Sequence, residues 1–146
     1  MSIENPGTAP TVGIFRLARK DLPALKLAAD ELEQAFFTVD LRQARNVPGF
    51  LRALRRDLAF PEWFGNNLDA AHDCLTDFSW RPAPGYVIVL TGSDSLRANP
   101  TSFAAFNEVL ASAVEAWQSR DVPFRVFYVP DDSANPSHPP SSNAAR

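Results

Sequence analysis

The chain has 146 residues, 45% hydrophobic and 21% charged, and its 14 basic and 17 acidic side chains give a net charge of -3. That balance suits one globular domain with a single core and argues against the clearly basic face that direct nucleic-acid binding requires. A lone cysteine, Cys74, leaves no internal disulfide, no Cys/His cluster has zinc spacing, and no run approaches the roughly 18 apolar residues of a membrane span.

The opening MSIENPGTAP has neither a basic n-region nor an apolar h-region, so the expected location is cytoplasmic. Residues 1–10 are polar with two prolines, and PDDSANPSHPPSSNAAR from Pro130 onward is rich in Pro, Ser and Asn with little to bury. Both ends, residues 1–10 and 131–146, are therefore expected to be disordered tails around a domain over residues 11–130.

Within that domain short apolar runs alternate with helical periods. Gly13 to Leu17 is too brief for a helix and rich in strand formers. Asp21-Leu22-Pro23 then opens a helix, proline being tolerated in the first turn, with Leu22, Leu25, Ala29 and Leu32 on one face. Phe36 to Leu41 reads as a second strand. The helix after Val47-Pro48-Gly49 turns Phe50, Leu51, Leu54 and Leu58 inward, and its Arg52, Arg55 and Arg56 read most simply as a solvated face. Tyr86 to Leu90 is apolar throughout, as strands covered on both sides tend to be. Phe103, Phe106, Leu110, Ala113, Val114 and Trp117 form a long helical stripe, and Phe124 to Val129 is a last strand. Strands separated by helices imply parallel pairing through right-handed crossovers, hence an α/β fold with a small, mostly parallel β-sheet flanked by helices. There is no Gly-rich phosphate loop and no nucleophile elbow, and no cofactor is expected.

One segment stands apart. PEWFGNNLDAAHDCLTDF, residues 61–78, gathers acids without a single lysine or arginine. Asn67 is a good N-cap after the Gly65-Asn66 turn signal, so a helix is expected from Leu68 to about Phe78. Leu68, Ala70, Ala71, Cys74, Leu75 and Phe78 fall on one arc, and Asp69, His72, Asp73, Thr76 and Asp77 on the opposite one. The carboxylates then face outward beside a loop that displays Trp63 and Phe64. A solvated helix face explains Asp69, which sits near the positive end of the helix dipole, but not Asp77, expected in the last turn at the negative end. Asp69, His72 and Asp73 at i, i+3 and i+4 also allow a metal or acid-base site, without a second ligand cluster or a serine nucleophile nearby. Cys74 projects to the apolar side and is read as a small packed hydrophobe.

Leu58-Ala59-Phe60-Pro61-Glu62-Trp63-Phe64-Gly65-Asn66-Asn67-Leu68-Asp69-Ala70, continuing through Asp73-Cys74-Leu75-Thr76, resembles the signature of the barstar family of ribonuclease inhibitors. An aromatic pair, a glycine turn, an asparagine cap and an aspartate pair before a cysteine make up the resemblance. In element order it covers about Phe36 to Val129. It implies a small parallel sheet flanked by helices and an inhibitor that catalyses nothing. Its implied partner is a guanyl-specific, barnase-like microbial ribonuclease or a nuclease toxin of that fold, whose basic active site the acidic helix and preceding loop would cover. By the same resemblance Asp73 would take the place of the RNA phosphate and Asp69 would face a neighbouring arginine or base-recognition group. Trp63 and Gly65 would cover the rim, with Asn67, Leu68, His72, Thr76 and Asp77 completing the patch, and Phe64 is expected among the partner-binding residues. His72 stands where the family has tryptophan, and Asn66 where it has an acid. The strand and helix over Gly13 to Gln34 precede the family's first strand, as an additional N-terminal unit that extends the sheet or docks elsewhere. A non-inhibitory acidic module binding another basic protein, and an enzyme using Asp69, His72 and Asp73, are the rival readings.

Overall fold

The structure is a computed structural model describing residues 11–61 and 64–130. The expected tails, and Trp63 with its neighbour Glu62, lie outside the described residues. Among those described, four strands form one sheet: β1 (Val12–Arg16), β2 (Ala35–Asp40), β3 (Tyr86–Thr91) and β4 (Phe124–Tyr128). Their order is β1-β4-β3-β2, and every pairing is parallel. The N-terminal strand thus extends the sheet at the edge opposite β2, with Ile14 beside Val126 and Phe15 beside Phe127.

Helices cover both faces. On one side α2 (Val47–Leu58), α3 (Leu68–Leu75) and α5 (Pro100–Ser119) bury Phe50, Leu54, Leu75, Phe106, Leu110 and Trp117 against alternate residues of the sheet such as Ile88, Leu90, Phe124 and Val126. On the other side α1 (Leu22–Glu31) sets Leu25 and Ala29 on Val87, Val89, Phe127 and Val129. This explains the uninterrupted apolar run of β3, since successive side chains of a strand point to opposite faces and both faces here are covered. A four-residue helix, α4 (Asp94–Arg97), sits between β3 and α5 and gave no periodic signal.

Leu32, expected on the buried face of α1, caps the helix instead and is 53% exposed. Arg52 and Arg55 are exposed as expected, but Arg56 is not merely solvated. Its guanidinium donates to the Asp57 carboxylate at 2.7 and 2.8 Å and to the Asp40 carbonyl at 2.8 Å, while the Asp40 N–H donates to Asp57 at 2.8 Å. α2 is thereby clamped to the end of β2. Asp57 is thus an internally paired group.

The helix expected to run to Phe78 ends at Leu75. Phe78 takes a left-handed backbone, φ 52, and its fully buried ring stacks on Tyr86 at 4.6 Å and on Phe37 at 5.6 Å between ring centroids. A bulky residue at positive φ is strained by about 1–3 kcal/mol. Burying the ring among aromatics offsets that cost by a similar amount.

Candidate functional site

The loop before α3 is built from the inside. Ala59 closes α2 with a left-handed backbone, φ 55, and Phe60 follows inward. Phe64 meets the Phe60 ring edge-on at 4.9 Å and is only 4% exposed. Trp80 packs on Phe60 at 5.7 Å and donates its indole N–H to the Leu58 carbonyl at 3.1 Å. The loop therefore does not display Phe64. That ring is an anchor under the loop, because the Phe60 ring, itself packed on Trp80, offers it a drier place than the surface.

Gly65, Asn66 and Asn67 then cross the surface, and the left-handed residue of this turn is Asn66 (φ 56), which tolerates that backbone better than most non-glycine residues. Asn67 is the cap expected from sequence. Its side-chain oxygen accepts the Ala70 N–H at 2.7 Å, and its amide lies 3.4 Å from the Gly65 carbonyl. This side chain serves the helix start first.

On α3 itself Ala71, Cys74 and Leu75 are buried, and Leu68 and Ala70 pack partly against the core. Asp69 and Asp73 are exposed on the other face, with His72 between them half-exposed. The His72 Nδ1 is 3.8 Å from the Asp73 carboxylate. The Thr76 hydroxyl turns back onto the helix, donating to the His72 carbonyl at 2.9 Å. Asp77 lies beyond the helix end, not in its last turn, and its carboxylate accepts the Ser79 hydroxyl at 2.8 Å. Asp77 therefore sits just past the C-terminal carbonyls of α3, still at the negative end of the helix dipole.

α5 holds the far end of α3. The Trp117 indole N–H donates to the Leu75 carbonyl at 2.7 Å, and the Arg120 guanidinium, lying over the Trp117 ring, donates to the Thr76 carbonyl. Helix C-termini leave carbonyls without intrahelical partners, and here one donor from α5 and one from its C-cap satisfy two of them. Sequence reasoning assigned Trp117 to the core stripe and had no signal for this second task.

The electrostatics separate two kinds of acid. Asp30, Asp40 and Asp57 pair with Lys26, Arg42 and Arg56. Among the described residues no lysine or arginine pairs with Asp69, Asp73 or Asp77, so a patch of negative charge faces solvent. Burial, and then Asp77 and Asp73, push the Cys74 thiol up to about 11, which keeps it protonated and inert at neutral pH. Among the described residues no group of three His, Cys, Asp or Glu side chains converges as a metal centre.

Of solved structures, the chain is similar to one in "Structure of Drosophila ORC bound to AT-rich DNA and Cdc6" and to one in "Structure of Drosophila ORC bound to GC-rich DNA and Cdc6". Each match has 12% identity and a TM-score of 0.41, and covers 84% of this chain and 41% of the other. The chain therefore spans less than half the length of those chains, and a likeness at that score carries no argument. The model of the family described as "Barstar (barnase inhibitor)" matches residues 34–129, which hold β2 to β4, the loop and α3, and the chain belongs to the barstar family.

Proposed function

We propose that this protein is a cytoplasmic inhibitor of a barnase-like, guanyl-specific microbial ribonuclease or of a nuclease toxin of that fold, acting as an immunity protein without catalysis. The observation that carries the reading is the exposed α3 face, on which Asp69 and Asp73 have no lysine or arginine partner among the described residues. A cleft built to hold RNA phosphates is lined with cations, and such a face offers it charge-assisted hydrogen bonds in the place of the polyanion. Complementary fields also speed encounter, the barstar–barnase pair being itself a measured case of such steering.

Asp73, centrally placed, takes the phosphate position, and Asp69 meets a neighbouring cation. His72, Leu68, Gly65 and Trp63 form the surrounding contact, and Asp77 extends the negative field. Asn67 and Thr76 shape the helix that presents these groups, and Phe64 supports the loop from beneath. Titrating the full chain into a barnase-type ribonuclease acting on RNA is the test. Stoichiometric loss of RNA cleavage is expected. A stable complex with cleavage intact would instead identify an acidic interaction module that does not occlude the active site.

A further inference from the structure

A second feature lies at the carboxyl ends of the strands, away from α3. β1 ends at Arg16 and its chain turns to α1 on one face of the sheet, whereas β3 ends at Thr91 and its chain turns to α4 and α5 on the other. β4 ends between them. Where neighbouring connections leave a parallel sheet toward opposite faces they open a crevice, the usual ligand position in such sheets. Gly92 makes the turn after β3 possible: its φ is +68, and a Cβ there would run into Arg42.

The crevice is a pocket of about 210 Å³ lined by Arg16, Ser93, Asp94, Arg97, Tyr128, Val129 and Pro130, with no residue of α3 in its wall. Arg97 is held in place. Its Nε donates to the Ser93 hydroxyl oxygen at 3.1 Å, and its guanidinium lies over the Phe103 ring at 4.6 Å and the Tyr128 ring at 5.1 Å. That leaves its terminal N–H groups for a ligand. Among the described residues neither Arg97 nor Arg16 pairs with a carboxylate, although Asp94 stands on the same rim. Ser93 accepts from Arg97, so its own O–H is available to donate. The Tyr128 hydroxyl is taken by Asn107 at 2.6 Å, and its ring, with Val129, forms the apolar wall.

Two guanidinium groups and a hydroxyl donor converging on one space fit the planar, bidentate recognition of a phosphate. The Asp94 carboxylate on the same rim would repel a bare anion but accepts hydrogen bonds from hydroxyl groups. The volume is below the roughly 300–1,000 Å³ of clefts for drug-sized ligands, which leaves room for a phosphate and one small polyol body. We propose that this crevice binds a sugar phosphate, with Arg16, Arg97 and Ser93 on the phosphate and Asp94 on the hydroxyls. Arg16 lies outside residues 34–129, so the N-terminal unit completes a site that the family-matched segment alone would leave half-built.

Amide chemical shifts of the full chain, titrated separately with ribose 5-phosphate, inorganic phosphate and ribose, test this. Saturable shifts at Ser93, Asp94, Arg97 and Tyr128 with ribose 5-phosphate at millimolar concentration are expected, with ribose alone inert. Arg16→Gln and Arg97→Gln should each weaken binding at least tenfold, and Asp94→Asn should weaken ribose 5-phosphate severalfold without weakening phosphate. Arg16 is an exposed edge residue, so its variant stays informative even if Arg97→Gln disturbs the stacked rings. Absence of saturable shifts at these residues, or an affinity unchanged in folded Arg16→Gln, would overturn the proposal. Equal affinities for phosphate and ribose 5-phosphate, insensitive to Asp94→Asn, would overturn the sugar phosphate assignment.

Discussion

Trp117 on α5 donates its indole N–H to the carbonyl of Leu75, the last residue of α3, at 2.7 Å in a buried setting. That bond ties the end of the acidic helix to α5. Trp117→Phe keeps most of the ring and leaves the Leu75 carbonyl without its partner, so a loss of about 1–3 kcal/mol is expected. Denaturant unfolding measures it. An unchanged unfolding free energy would show that the α3–α5 tie adds no stability.

The clamp between α2 and β2 should appear in the acid stability. Hydrogen bonding from Arg56 lowers the Asp57 carboxyl below its ordinary range, and hydrogen bonding from Arg42 brings Asp40 down to about 2. Groups depressed in the folded state add stability above their unfolded pKa of about 3.9, and lose it as pH falls through the folded value. Stability should therefore drop between about pH 4 and about pH 2. Asp57→Asn should cost about 1–2 kcal/mol near neutrality and flatten this acid limb. Asp40 contributes less, because its Arg42 partner is 75% exposed and screened. Urea unfolding across that pH range is the measurement. Parallel profiles for the variant and wild type would remove Asp57 from the acid transition.

Arg125 offers the opposite case. It lies on β4 between Gly13 and Val87, is 3% exposed, and its Nε has no hydrogen-bond partner. Gln34 is 3.4 Å from one terminal nitrogen, and burial pulls the guanidinium pKa below its ordinary value. A buried cation without a carboxylate is costly, so Arg125→Met should leave stability unchanged or raise it by about 1 kcal/mol. A clear loss in thermal melts would show that the guanidinium contributes net stabilisation.

Much of this arrangement was legible in the chain. The unbroken apolar run of Tyr86 to Leu90 is a strand buried on both faces, and Phe50, Leu51, Leu54 and Leu58 all point inward as their spacing required. The Asn67 cap and the outward arc of Asp69 and Asp73 followed from period and capping chemistry. What escaped were departures from period. The stop at Leu75 depends on Phe78 leaving helical geometry to reach Tyr86, a contact that local propensity cannot encode. Phe64 turns inward onto Phe60, whose other neighbour is the distant Trp80, and a loop's local sequence does not carry that contact. Arg56 escaped because its partners include Asp40, 16 residues away in sequence. The crevice joins Arg16 at the end of β1 to Ser93 and Arg97 after β3, and no local window contains it.

The central claim is that the carboxylates of α3 occupy a cationic ribonuclease cleft. Its most direct test is the inhibition constant of Asp73→Ala against wild type, measured with a barnase-type ribonuclease on RNA. Asp73 is exposed and supports no internal ion pair with lysine or arginine among the described residues, so the variant should unfold like wild type. Removing it would strand a desolvated cation in the complex, a loss of about 3 kcal/mol or more, which is over a hundredfold in affinity. Equal inhibition by the two proteins would contradict the claim.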